Sequence, residues 1–168
     1  RKDLQTIENC LPYIDNIQSI EKEIRAIAHD LNQDVFSNTD SFKTVVVALF
    51  VEQKNISKIN CHLEIDRDIN WDLIESTKKI HLYRILQEAL QNINKHSQAK
   101  NIIVSILNRN NTLLFEIYDD GIGFNIKNKK TGIGIQNIRS RVKDCDGTID
   151  IRSENGAGTT IMISVLPS

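Results

Sequence analysis

The sequence has few extremes, and what it lacks excludes several functions at once. Charge of one sign is missing: 21 Lys and Arg stand against 22 Asp and Glu, for a net charge of −1. No bulk field therefore draws the chain to nucleic acid or to an anionic membrane. Long hydrophobic runs are missing too, since the longest apolar cluster, Val45 to Val51, is far too short for a membrane span. No signal-peptide pattern opens the chain. Cysteine is scarce and scattered. Cys10, Cys61 and Cys145 are odd in number and form no pair at metal-ligand spacing, which fits reduced structural thiols in a cytosolic setting. No repeat or low-complexity tract is visible.

What is present fits one globular domain plus an extra element. Of the 168 residues, 40% are apolar, enough for a core, and 26% are charged, an ordinary share. The chain opens on Arg1 and its first residues already have helical spacing, so it reads as a piece of something longer.

From Leu4 to Val35 apolar residues recur at Leu4, Ile7, Leu11, Ile14, Ile17, Ile20, Ile24, Ile27, Leu31 and Val35, mostly in steps of three and four. That is the seam of a helical hairpin or coiled coil. The rhythm slips after Pro12, where a helix start or kink is expected. A polar break at Asn38 to Ser41 supplies a cap, Asp40 or Ser41, for a helix over Phe42 to Gln53. Val45 to Val47 would also suit a strand, but Phe42, Leu49 and Phe50 share a helical face. Asn60 to Asp66 alternates as a strand, and Trp71 to Ile74 leads into the next helix.

That helix, His81 to His96, carries two stripes. Leu82, Leu86, Leu90 and Ile93, joined by Ala89, form an apolar one. Glu88, Asn92 and His96 lie four residues apart and form a polar one, for which a solvated face is the ordinary explanation. Beyond it, Asn101 to Leu107 and Thr112 to Tyr118 read as a hairpin joined by Asn108 to Asn111. Gly121 to Gly134 is a long loop, and Ile135 to Cys145 has helical spacing. Thr148 to Ser153 and Thr159 to Leu166 are strands linked by a glycine-containing turn.

Glycine groups in this downstream half as Asp119-Asp120-Gly121-Ile122-Gly123-Phe124, as Thr131-Gly132-Ile133-Gly134-Ile135, and as Asn155-Gly156-Ala157-Gly158-Thr159-Thr160. One such group is weak evidence, because glycine punctuates most loops and Asp-Asp-Gly is also a fair turn after a strand. Three of them behind a helix bearing Glu and Asn form a stronger pattern. Lys127, Lys129 and Lys130 read as a solvated loop face.

From about Ile74 to Val165 the sequence resembles the ATP-binding domain of sensor histidine kinases, within the GHKL group that also holds gyrase and mismatch-repair ATPases. EALQNINKH is similar to the asparagine box, and DDGIGF, TGIGIQNIRSRV and NGAGTTIMISV to the three glycine boxes. RILQEALQNINKHSQA with GIGIQNIRSRV resembles the subgroup serving response regulators with helix-turn-helix outputs. The resemblance implies an α+β fold, an α/β sandwich of the GHKL (Bergerat) type. Its mixed sheet is covered by helices on one face, and a long helix of a dimerisation hairpin precedes it. The implied division is 1–40, a partial dimerisation and phosphotransfer segment, and 41–168, the ATP-binding catalytic domain.

The same resemblance implies the site. Glu88 and Asn92 become the catalytic and Mg²⁺-binding pair, the amide oxygen being a hard neutral ligand. Lys95 and His96 face the phosphates. Asp119 reads the adenine amine, Gly121 and Gly123 let backbone pass close to the base, and Gly132 and Gly134 close over the phosphates at a helix N-terminus. Gly158 and Thr159 line the adenine side. ATP and Mg²⁺ are the implied cofactors. The implied partners are a response regulator and a second copy of the full-length protein, with no direct nucleic acid, in the cytoplasmic portion of a membrane-anchored bacterial sensor.

His29 has the family's His-acidic pairing. However, Gln33 follows it by four residues where the subgroup has five, and His29 lies too close to Asn92 for the first hairpin helix. It reads as a residue of the second helix, with the phosphoryl acceptor upstream of Arg1. His62 and His81 carry no motif. Two other readings stay open: another GHKL ATPase or an anti-sigma-type serine kinase, and a non-catalytic dimerisation and docking module. The seam from Leu4 to Val35 counts against the first, and the intact Glu88, Asn92, Asp119 and glycines count against the second.

Overall fold

A computed structural model describes residues 39–57, 59–126 and 132–167. The seam from Leu4 to Val35, the break at Pro12, His29 and the three loop lysines lie outside the described residues.

The first helix among the described residues, α1 (Thr39–Ile56), extends three residues beyond the expected Phe42 to Gln53 at each end. Its three successive valines each cost roughly 0.5 kcal/mol of helix propensity against alanine. Burial of Phe42, Val46 and Phe50 on one face outweighs that, at about 1.5–3 kcal/mol each. The Phe42 ring packs on Trp71 with centroids 5.0 Å apart. Trp71 belongs to a 3₁₀ turn, Trp71–Leu73, whose start is capped by Asn70 Oδ1 accepting from Asp72 N–H at 3.0 Å.

Five strands form one sheet in the order β1-β2-β3-β5-β4, with β1 (Asn60–Ile65), β2 (Asn101–Arg109), β3 (Thr112–Asp119), β4 (Thr148–Ser153) and β5 (Thr159–Val165). Only the β1–β2 pair is parallel, joined by the crossover that carries the second helix; the other pairs are antiparallel. In the β2–β3 hairpin Arg109 pairs with Thr112, so the turn is only Asn110-Asn111. Both asparagines have positive φ, 51° and 62°, the handedness that matches the twist of two paired strands.

Period-two alternation decides the rest. Ile102, Val104 and Ile106 on β2 and Ile161, Ile163 and Val165 on β5 are buried under the helices, while their neighbours along each strand are not. On β3 the inward series runs Leu113, Phe115, Ile117 and then Asp119. A carboxylate thus occupies the last core position of a central strand.

The second helix, α2 (Ser76–Asn92), begins five residues before the expected His81. It buries the whole expected apolar stripe, Leu82, Leu86, Ala89 and Leu90, with Ile93 just beyond. Its C-terminal end departs from expectation. The Ile93 N–H is shared between the carbonyls of Ala89 and Leu90, and the chain opens into a π-helical turn, Ile93–Ser97, closed by Gln98 at φ 54°. The polar stripe is therefore α-helical only from Glu88 to Asn92. The third helix, α3 (Ile133–Asp144), begins two residues before the expected Ile135 and packs against α2 and β4 through buried Ile138 and Val142.

Candidate functional site

Between α2, the start of α3 and the ends of β3 and β5 lies a cavity of about 370 Å³. Its walls are apolar: Ala89 and Ile93 from the helix side, Ile117 and Ile161 from the sheet, Phe124 and Ile126 from the loop after β3. The polar groups gather at two ends.

At one end Asp119 is 3% exposed. Its Oδ1 accepts the Gly121 N–H at 2.9 Å, and β3–β5 pairing sets Thr159 directly across from it. Burial pushes the Asp119 carboxyl up. The Gly121 N–H and the Thr159 hydroxyl work against that shift, while the Asp120 charge adds to it. Ser153 braces this end: its Oγ accepts the Phe124 N–H, donates to the Gly158 carbonyl, and lies 3.0 Å from Thr159 Oγ1. The backbone here is packed too closely for side chains. A Cβ on Gly158, at φ 74°, would run into the Asp119 carbonyl, and one on Gly121 into the Ser97 carbonyl.

At the other end Asn92 points into the cavity with its Nδ2 buried and without a hydrogen-bond partner. Gly134 sits directly over it. A Cβ there would meet Glu88 Oε1, and would come within 2.8 Å of both atoms of the Asn92 amide. The first turn of α3 is thereby held against Glu88 and Asn92, and Gly132 brings no side chain to cap its N–H groups. The start of this helix, with the positive end of its dipole, faces the cavity, an arrangement suited to an anion.

Most of the residues the sequence singles out converge here. Asn92, His96, Asp119, Gly123, Gly132, Gly134 and Thr159 line the cavity. Glu88 stands behind Asn92 against Gly134, Gly121 and Gly158 shape the wall through backbone packing, and Lys95 is exposed outside the wall. Asp120 points away. Its carboxylate accepts from the N–H groups of Lys100 and Asn101, both at 2.8 Å, and from Asn101 Nδ2 at 2.6 Å. These bonds, that of the Asn101 backbone first, hold its carboxyl below the usual range.

Sequence reasoning missed Ser97 and Ser153. Ser97 lines the cavity, and its carbonyl takes the Ile122 N–H at 2.7 Å, fastening the first glycine segment to the end of the π-helical turn. The signal available was its place directly after His96; Ser153 offered none beyond its place at a strand end. Among the described residues no group of three or more His, Cys, Asp or Glu could hold a metal ion, and no helix is long and apolar enough to cross a membrane.

The fold and the sequence both have known counterparts. The chain is 33% identical over 103 residues to the sensor histidine kinase LiaS of Bacillus subtilis, covering 58% of this chain and 29% of that protein. It is 30% identical over 151 residues to the sensor protein VraS of Staphylococcus saprophyticus, covering 88% and 41%. The chain thus spans less than half the length of these relatives. Among solved structures, the blue-light activated histidine kinase EL346 of Erythrobacter litoralis superposes with a TM-score of 0.64 at 14% identity, over 90% of this chain and 49% of that one. The histidine kinase AdeS of Acinetobacter baumannii gives 0.61 at 14% identity, over 93% and 84%. At that identity the likeness is one of fold, a mixed sheet with helices as in histidine kinase catalytic domains. Residues 77–168 match the family model described as histidine kinase-, DNA gyrase B- and HSP90-like ATPase. With the glycine segments, the asparagine-bearing helix and the cavity between them all falling within or beside that span, the chain belongs to this ATPase family.

Proposed function

We propose that this chain is the ATP-binding catalytic portion of a sensor histidine kinase and that Mg-ATP occupies the cavity between α2, α3 and the sheet. The observation that carries the reading is the cavity's two unlike ends: a buried carboxylate at one, a buried amide with an unmet hydrogen bond beside a helix N-terminus at the other. ATP has the matching polarity. Its exocyclic amine can donate to Asp119 beside Thr159, its base can lie between Ile93 and the Ile117–Ile161 wall, and its phosphates can reach the N–H groups of α3. His96 and the exposed Lys95 add donors and positive charge at the phosphate end.

The residues present also fit Mg²⁺. Asn92 Oδ1 and Glu88, one helical turn apart, would supply two oxygen ligands, as many as Mg²⁺ ordinarily takes from a protein beside a nucleotide. When bound, the ion would neutralise phosphate charge. Glu88, held by Gly134, is placed to orient a reacting group or accept its proton.

In the longer protein the γ-phosphoryl group passes to a histidine on a dimerisation hairpin and from there to a response regulator with a helix-turn-helix output. In this reading residues 1–40 are part of the hairpin, residues 41–168 form the catalytic domain, His29 is a second-helix residue, and the protein works as a homodimer. It is the cytoplasmic portion of a membrane-anchored bacterial sensor. The names of the relatives, a sensor histidine kinase and a sensor protein, support the sensor-kinase part of this assignment.

The test is titration of a fluorescent ATP analogue with and without Mg²⁺. Saturable binding that needs the ion and is displaced by ATP is expected; absence of binding sinks the reading. For the acceptor, transfer of label from ATP to this chain that disappears in His29→Ala would overturn the assignment of His29.

A further inference from the structure

The polar corner of the cavity stands on unusual backbone, the π-helical turn Ile93–Ser97. Such turns persist only where their surroundings hold them. One hold is local: Ser97 Oγ donates to the Ile93 carbonyl at 2.8 Å and accepts from Ala99 N–H at 3.1 Å. The other comes from 41 residues away. Gln53 on α1 and Asn94 in the middle of the turn exchange two hydrogen bonds, Gln53 Nε2 to Asn94 Oδ1 at 2.7 Å and Asn94 Nδ2 to Gln53 Oε1 at 2.8 Å. Gln53 is only 6% exposed. Its own backbone carbonyl is tied down by Ser57 Oγ at 2.8 Å.

We propose that Gln53 and Asn94 are a positioning pair for the nucleotide site, an inference that rests on the nucleotide reading above. A closed ring of two amide bonds fixes both the separation and the orientation of α1 and the turn, which one bond does not. Ile93, His96 and Ser97 of that turn line the cavity, and Asn92 directly precedes it. Without the pair the turn relaxes toward ordinary α-helical geometry. His96 then rotates about the axis and the Asn92 amide shifts under Gly134. Because α1 follows directly on residues 1–38, the pair also makes the register of α1 a determinant of how well nucleotide is held.

A tie that merely joins two elements would change stability and leave the cavity alone. The experiment therefore reads the melting temperature and the Kd of a fluorescent ATP analogue with Mg²⁺ side by side, on the 168-residue chain. The variants are Gln53→Asn, Asn94→Gln and the exchanged double Q53N/N94Q, which moves one methylene across the pair and keeps its total length. Each single variant is expected to raise Kd about tenfold, the equivalent of losing one or two net hydrogen bonds, and the double to return within about twofold of the parent. Should a single variant not fold, Asn94→Ser takes its place. Melting temperatures that fall while every Kd stays within twofold overturn the proposal. So does a double no better than its singles. A parent chain that binds no analogue overturns the nucleotide reading and this inference together, whereas a binding parent with indifferent variants overturns this inference alone.

Discussion

The two ends of the cavity are built on opposite principles. At the Asp119 end the protein satisfies itself: the carboxylate has Gly121 N–H and Thr159, and Ser153 ties Phe124, Gly158 and Thr159 together. At the Asn92 end the protein is left unfinished, with a buried amide nitrogen that has no partner and a helix start without a capping side chain. Strand ends, pinned on both sides by ladder bonds, can hold a finished recognition surface. Helix termini present four unpaired donors by construction, so they are where a ligand can complete the protein. The first end should thus select the ligand, and the second should supply most of the binding energy.

Truncating the unfinished end tests that division most severely. Asn92→Ala is expected to weaken Mg²⁺-dependent nucleotide binding by about 100-fold, roughly 2.7 kcal/mol, while the melting temperature of the free protein holds or rises. A buried unmet amide costs about 1–3 kcal/mol, so its removal does not harm the unliganded fold. Destabilisation without loss of affinity would reverse the comparison. Gly134→Ala attacks the same end from above. The added Cβ collides with Glu88 and the Asn92 amide, so α3 must back away. About 30-fold weaker binding is expected, together with a loss of about 1–3 kcal/mol for overpacking.

The finished end should respond less in affinity and more in pH dependence. Burial raises the Asp119 carboxyl. The stability linked to its protonation is complete below the value of the unfolded chain and is lost as pH rises through the folded value; above that, a buried charge is being carried. Asp119→Asn removes the charge. It should flatten the stability profile across that window, raise the melting temperature at neutral pH, and weaken binding about tenfold, since an amide accepts a donor less strongly than a carboxylate. In the parent, affinity should fall as pH is lowered through the folded value. A Kd independent of pH in the parent would remove Asp119 from the nucleotide.

Much of this was legible in the sequence because it is set locally. The leucine stripe predicts which face of α2 is buried, whereas Asp119 is reached through the resemblance: the expected strand stops at Tyr118, and the observed one carries the inward series Leu113, Phe115, Ile117 one residue further, to Asp119. The glycine segments are readable because close backbone approach excludes a Cβ wherever it occurs. The π turn was not legible. Besides the local bonds of Ser97 Oγ, its holds are distant in sequence: Gln53 to Asn94, 41 residues apart, and the Ser97 carbonyl to Ile122 N–H. Nothing in INKHS distinguishes a π turn from one more turn of α-helix until those partners are in place. The start of α2 was missed for a related reason. Its first residues, Ser76 to Lys79, look like solvent-facing polar chain, yet Lys79 is buried.

The smallest expected effect comes from the residue next door. Asp120 follows Asp119 in the chain, but period two turns it to the opposite side, where its carboxylate fastens the end of β3 to the start of β2 through Lys100 and Asn101. Its carboxyl is held low, so the stability it contributes is present above the unfolded value and is lost as pH falls through the folded one. Asp120→Asn keeps one acceptor oxygen of two. At an exposed site that water screens, about 1 kcal/mol is at stake, a fall of about 2–4 °C in melting temperature, with the acid limb flattened. Nucleotide Kd should stay within about twofold, far inside the tenfold expected for its neighbour. If the two asparagine variants lost equal affinity, the ligand would be reading the charge of the Asp-Asp pair rather than the one carboxylate that faces the cavity. The contrast between a selecting end and a binding end would then dissolve into a single electrostatic field.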